Sequence, residues 1–242
     1  MQATVIVREA WELYKGHWKT FVPLALVVYV IIGVVSLLLT LLLGVVGAII
    51  GALLGLVGFF WLQGALVEAV RDVRDGNRDL SIGETFARVQ PRLPAIIPAG
   101  LLAGIAIVIG LLLLIVPGLF LLTIWAVIIP VIVLEGRSAG ESFGRSRELV
   151  RGNGWNVFGV IAITVGLTIA ANIVVAIATF WLPDEAGSFV QSVISNTVVA
   201  PFMAVALTLT YFALARGQAT AGEPVTYRDA PTTIPPSDGL GA

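Results

Sequence analysis

Cysteine is absent from this 242-residue chain, which excludes disulfides, thiolate metal sites and cysteine nucleophiles. Histidine occurs once. It is His17, beside Trp18 and Lys19, a place for an interfacial side chain rather than a catalytic base. Charged residues make up 12% of the chain and hydrophobic ones 58%, whereas a soluble domain carries about a quarter charged residues. A net charge of −1 gives no electrostatic case for a nucleic-acid partner. A metal site would have to use carboxylates alone. The acids Glu68, Asp72 and Asp75, however, interleave with Arg71 and Arg74, as on a solvated, ion-paired helix face. The expectation is a chain without cofactor, metal or catalytic residues.

Cations are also missing from three long stretches. All 14 lysines and arginines fall within residues 1–20, 70–93, 135–152 and the tail from Arg216 onward. Each apolar stretch between them is about twice the length of one bilayer-spanning helix, which takes roughly 20 residues. The reading that follows is an all-α integral membrane protein of six transmembrane helices in three hairpins, each preceded by a short interfacial amphipathic helix. The spans are expected at residues 21–43, 47–69, 95–115, 118–135, 157–181 and 188–214. Because every cation lies on one side, the positive-inside rule puts both termini in the cytoplasm. The opposite side shows only Asp184 and Glu185.

Local signals place the connections. Residues 5–16 read as an amphipathic helix with Val7, Trp11 and Tyr14 on one face, lying on the membrane. No short apolar region with a cleavage site follows, so no signal peptide is expected and the mature chain is read as beginning at Met1. The first hairpin should turn at residues 43–47, and Gly47, Gly51 and Gly55 form a ridge without side chains that could pack within one chain or between two. Ser81-Ile82-Gly83-Glu84 is a capping-box pattern, with Ile82, Phe86 and Val89 expected to face lipid. The second hairpin should fold back at Val116-Pro117-Gly118 and the third at residues 182–187. Residues 217–242 read as a disordered cytoplasmic tail.

Two connections match each other. Ser138 to Arg145 repeats the Ser81 to Arg88 pattern of cap, aromatic and arginine, while Glu148 to Phe158 parallels Glu12 to Phe21, glycine and tryptophan included. The chain therefore reads as three like-oriented copies of a helix followed by a hairpin. Pro117-Gly118, Pro130 to Gly136, the Glu141 to Phe158 segment, Pro201-Phe202 and Thr208 to Phe212 before Arg216 together resemble a bacterial integral membrane family. That family is related to the membrane domain of glycerophosphoryl diester phosphodiesterase. The similarity covers residues 80–216 and departs at Ala213 and Ala215, where an acidic and a basic residue are expected. The resemblance implies six helices, a bacterial cytoplasmic-membrane address and no catalysis, since hydrolysis in such enzymes belongs to a separate soluble barrel.

Two sets of residues are candidates for function. Lys15, Lys19, Arg88, Arg92, Arg145, Arg147 and Arg151 sit where anionic headgroups would be, with about 1 kcal/mol available per cation. Asn172, Gln191, Ser195 and Asn196 are neutral polar groups in the fifth and sixth spans, suited to interhelical hydrogen bonds or to a polar vestibule. No carboxylate or arginine is expected inside a span, which argues against proton- or sodium-coupled transport. The function expected is a non-catalytic lipid, envelope or scaffolding role, with a channel or uncoupled transporter for a small solute as the alternative. Expected partners are membrane lipids, anionic ones among them, and further copies of the chain or a larger membrane complex.

Overall fold

A computed structural model describes residues 2–76, 80–181 and 195–220. All regular structure among them is helical: α1 (Ala3–Gly16), α2 (Trp18–Leu43), α3 (Val45–Asp75), α4 (Ile82–Val89), a 3-10 turn (Gln90–Arg92), α5 (Leu93–Leu113), α6 (Ile115–Ile124), α7 (Ile128–Glu135), α8 (Ala139–Val150), α9 (Gly154–Thr179), a π-helical turn (Ser195–Val199) and α10 (Ala200–Thr220). Six helical stretches are long and apolar enough to cross a membrane: Trp18–Leu43, Val45–Asp75, Ile82–Leu113, Ile115–Glu135, Gly154–Thr179 and Asn196–Gln218. This is the makeup of a multi-pass membrane protein. The outer apolar surface agrees, because Leu42, Val45, Leu112 and Val116 are all more than three-quarters exposed, a belt that a soluble monomer rarely shows.

The first helical pair turns at Gly44, whose φ of 57° and ψ of −131° suit a residue without a Cβ. Beyond it α3 returns along α2, and the glycine ridge makes the close approach possible. A Cβ on Gly47 would strike the Leu39 carbonyl, and one on Gly51 would come within 2.8 Å of Ser36 Oγ. The ridge is thus used within the chain. The second turn is at Leu114, in extended conformation, and not at residues 116–118. Pro117 instead sits in the first turn of α6, where its missing N–H is not needed. Gly118 is pressed against Leu111 and Gly110.

Helix α10 is the most enclosed span; α1, α3, α7, α8 and α9 all pack on it. One apolar cluster joins Ile6, Ala10 and Tyr14 of α1 with Phe21, Leu66, Val70 and Val205. A second joins Phe60, Val89, Ile96 and Ile132, and a third Val131, Leu149, Val157 and Leu214.

Several expectations are corrected. Helix α1 does not present Val7 and Tyr14 to lipid. It lies lengthwise along α10, with Ile6 near Leu214 at one end and Tyr14 Oη donating to Val198 O at 2.6 Å at the other. Burial pushes that hydroxyl up to about 12, so it remains a donor. Trp11 keeps the expected exposure and packs edge-on against Phe202. Phe86 and Val89 likewise face the bundle, Val89 lying on Gly64, which the lack of a side chain allows. The fourth span is broken at Trp125–Val127. Helix α10 continues to Thr220, so residues 217–220 are helix and not tail. The expected turn at residues 182–187, Gln191, the Ser195 side chain and residues 221–242 lie outside the described residues.

Candidate functional site

The connection after α3 and the connection after α7 fold alike. Ser81 and Ser138 each accept from the amide three residues on, and Glu84 and Glu141 each reach back to the serine amide. Both helix starts are therefore closed by reciprocal capping. At Glu141 the bond from the Ser138 amide, then that from its hydroxyl, hold the carboxyl below the usual carboxylate range. Phe86 packs edge-on against Trp61 at 5.6 Å between ring centroids, and Phe143 against Trp125 at 5.0 Å. In each case the arginine two residues after the phenylalanine meets a buried carboxylate on the preceding apolar helix.

These carboxylates are the groups that sequence reasoning missed. Glu68 lies in the expected second span and Glu135 closes the fourth, and their side chains are 7% and 9% exposed. Glu135 is the better furnished. Arg145 Nε donates to both of its oxygens at 3.1 and 3.0 Å, and Tyr211 Oη of α10 donates at 3.1 Å. Arg137 Nε lies 3.4 Å away, and Arg145 Nη1 also donates to Glu148 at 3.0 Å. Burial alone would lower the Arg145 pKa, but the bond to Glu148 and the charge of Glu135 outweigh it and raise it. Glu68 meets Arg71 and Arg88 at 3.6 Å, and Arg88 is 57% exposed. Buried charge is tolerated when paired, and each pair fastens α4 or α8 to the bundle.

The seven candidate cations therefore divide. Arg88 and Arg145 are committed to Glu68 and Glu135. Arg92 is half-buried and lies against Gly136, whose φ of 69° closes α7. Lys15, Lys19, Arg147 and Arg151 are exposed and make no ion pair among the described residues. Arg151 borders a cleft of about 560 Å³ floored by Ile6, Leu149 and Leu214, with Glu9 and Asn153 on its rim.

Of the polar candidates, Asn172 donates to Thr168 O, which lies one turn earlier on its own helix, as Thr168 does to Thr164 O and Thr164 to Val160 O. Neither Asn172 nor Asn196 lines the cleft or the second cavity, of about 390 Å³, which lies between α3, α5, α9, α10 and the break in the fourth span. Ser146 Oγ of α8 donates to Ile124 O at that break, satisfying a carbonyl that the interrupted helix leaves open. Among the described residues no group of three His, Cys, Asp or Glu side chains could hold a metal ion.

No curated protein and no solved structure matches the chain. A family model matches residues 80–214, and its description names no enzyme, no substrate and no phosphodiesterase. That match spans more than half of the sequence, including both fastened connections from Ser81 onward and the broken span, and the chain belongs to the family described as Domain of unknown function (DUF7847).

Proposed function

We propose that this is a non-catalytic protein of the bacterial cytoplasmic membrane that associates with anionic lipid headgroups. Both termini are cytoplasmic, and three helical hairpins each follow a shorter helix docked on the bundle. The observation that carries the reading is the division among the cations. Structural pairing accounts for Arg88 and Arg145, whereas Lys15, Lys19, Arg147 and Arg151 are exposed without an ion pair among the described residues. Such cations beside the cytoplasmic leaflet attract anionic lipids at about 1 kcal/mol each. Trp18 and Trp155, both more than half exposed at the starts of α2 and α9, suit the headgroup boundary. The recurring cap, aromatic and arginine contacts of the two connections favour an origin by internal repetition. The resemblance to phosphodiesterase-related membrane domains, which do no hydrolysis themselves, agrees with a lipid role.

The test is native mass spectrometry of protein released from nanodiscs of mixed phosphatidylethanolamine and phosphatidylglycerol. Wild-type protein should retain a defined number of phosphatidylglycerol molecules. The Lys15→Gln/Lys19→Gln/Arg147→Gln/Arg151→Gln variant should lose them while keeping its helicity. Equal retention by the two proteins would sink the proposal. Arg145 is left out of the variant because its loss would disturb the fold and confuse the readout. Conduction of a solute has less support, since Asn172 and Asn196 border neither cavity.

A further inference from the structure

The 390 Å³ cavity owes its shape to three sequence features. Pro130 has no N–H to return to Ala126 O, and α6 stops at Ile124, so the fourth span opens at Trp125–Val127. Gly104 contributes no side chain, and a Cβ built there would meet nothing within 4 Å. Facing elements supply Phe59, Phe60, Ile161 and Leu207, so the walls are apolar and no lining residue is charged. Every lining residue belongs to one of the six helices apolar enough to cross a membrane.

Thr208 spends its hydroxyl on Ala204 O, and three other polar groups break this apolar lining. The half-buried Gln63 amide makes no hydrogen bond among the described residues. Neither does the indole N–H of Trp125, although the corresponding Trp61 donates to Phe86 O at 3.1 Å. The Ala126 carbonyl likewise meets no donor among the described residues. Irregular backbone within membrane helices is tolerated where it lines a cavity or is buried in protein, and unmet polar groups there cost free energy unless a ligand or water joins them. The lining thus offers two donors, from Gln63 and Trp125, and two acceptors, from Gln63 and Ala126. A cationic or anionic head would find no countercharge. The volume is near the lower end of small-ligand sites, roughly 300–1,000 Å³, which suits one alkyl chain rather than two.

We infer that this cavity binds a neutral single-chain lipid. Its hydroxyl head accepts from the Gln63 amide and the Trp125 indole N–H and donates to the Ala126 carbonyl, and its chain lies against Phe59, Ile107 and Leu207. The site is independent of the surface cations invoked above, so the two readings can fail separately.

The test uses full-length protein in phosphatidylcholine nanodiscs with a long-chain fatty alcohol bearing a mid-chain diazirine, and the alkane of equal length with the same group. After illumination, labelled peptides are mapped by tandem mass spectrometry. The alcohol should label residues 59–67, 100–107 and 122–130 above the exposed tip at residues 37–46, and should exceed the alkane there by about five- to tenfold, the worth of one hydrogen bond. Gly104→Leu, whose Cβ has open space around it, should abolish the cavity signal while leaving the tip signal unchanged. Gln63→Leu should reduce the preference for alcohol over alkane while retaining labelling by both. The Lys15→Gln/Lys19→Gln/Arg147→Gln/Arg151→Gln variant should label as wild type does. Equal labelling of tip and cavity in wild type, or equal labelling by alcohol and alkane, would overturn the inference. So would a cavity signal that survives Gly104→Leu, since the label would then come from bulk lipid.

Discussion

Arg145 and Arg88 occupy matching places in two similar connections, yet their removal should have very different consequences. Arg145 is 14% exposed and donates to both oxygens of a carboxylate that is 9% exposed. Removing one member of a buried pair costs about 3–5 kcal/mol, largely because the other is left buried without its countercharge. Tyr211 and Arg137 still reach Glu135 after the loss, so the cost of Arg145→Ala should lie near the lower end, about 3 kcal/mol. Arg88 is 57% exposed and 3.6 Å from Glu68, which keeps Arg71 at the same distance. Arg88→Ala should therefore cost less than about 1 kcal/mol, the range of exposed pairs. The difference of about 2 kcal/mol corresponds to roughly a thirtyfold change in an unfolding equilibrium. Hydrogen exchange of the 139–150 and 82–89 peptides, measured in nanodiscs, reads the two helices separately. The Glu135→Met/Arg145→Met double variant supplies the control, because an apolar replacement of both partners of a buried pair is often neutral. It should protect α8 better than Arg145→Ala does. Equal losses in Arg145→Ala and Arg88→Ala, or a double variant worse than either single one, would refute the argument from burial.

Two further outcomes follow from close packing and from capping. Gly47→Leu should separate α2 from α3, because even a Cβ there strikes the Leu39 carbonyl, whereas a Cβ on Gly33 meets nothing within 4 Å; detergent-titrated unfolding should show a loss of about 1–3 kcal/mol or more for Gly47→Leu and almost none for Gly33→Leu. Glu141 has a depressed pKa in the folded protein, so its contribution to α8 is full above the unfolded carboxyl value, about 4.3, and disappears as pH falls through the folded value. The stability gap between wild type and Glu141→Ala, measured by denaturant titration, should be open at neutral pH and closed in acid; a gap that does not change with pH would remove the carboxylate from the cap.

The sequence is most legible where the signal is local. Long uncharged runs mark the apolar helices, Gly44 falls inside the expected turn, and Ser81 with Glu84 announces its cap three residues ahead. What cannot be read locally is the destination of an apolar face. Phe86 and Val89 have helical spacing, but lipid tails are as apolar as a protein core, so periodicity cannot distinguish a face turned to lipid from one turned to Gly64 and Ile96. The same ambiguity hid the placement of α1 along α10. Glu68 resembles a solvated residue because Arg71 and Asp72 flank it, and only the folding of α4 over α3 buries it. The break at Trp125 did leave a trace: Pro130 deprives Ala126 of its donor four residues earlier. That trace is easily passed over, since membrane helices often tolerate proline when neighbours re-satisfy the freed groups.

The second connection differs from the first in ways that bear on the neighbouring cavity. Trp125 stacks edge-on against Phe143 of α8 and also lines the cavity. Ser146, one turn further along α8, holds Ile124 O at the break. Arg145 lies between these two residues in sequence and ties the same helix to Glu135. A single short helix thus supports one wall of the cavity through three adjacent contacts. Around Arg88 the support is lighter: Glu68 is shared with Arg71, and Trp61 spends its indole N–H on Phe86 O. In the second connection the equivalent indole N–H is left for a ligand, and the ion pair is driven deeper. Burying Glu135 with Arg145 makes α8 costly to displace, and a helix that is costly to displace can keep a span open where the backbone alone would not.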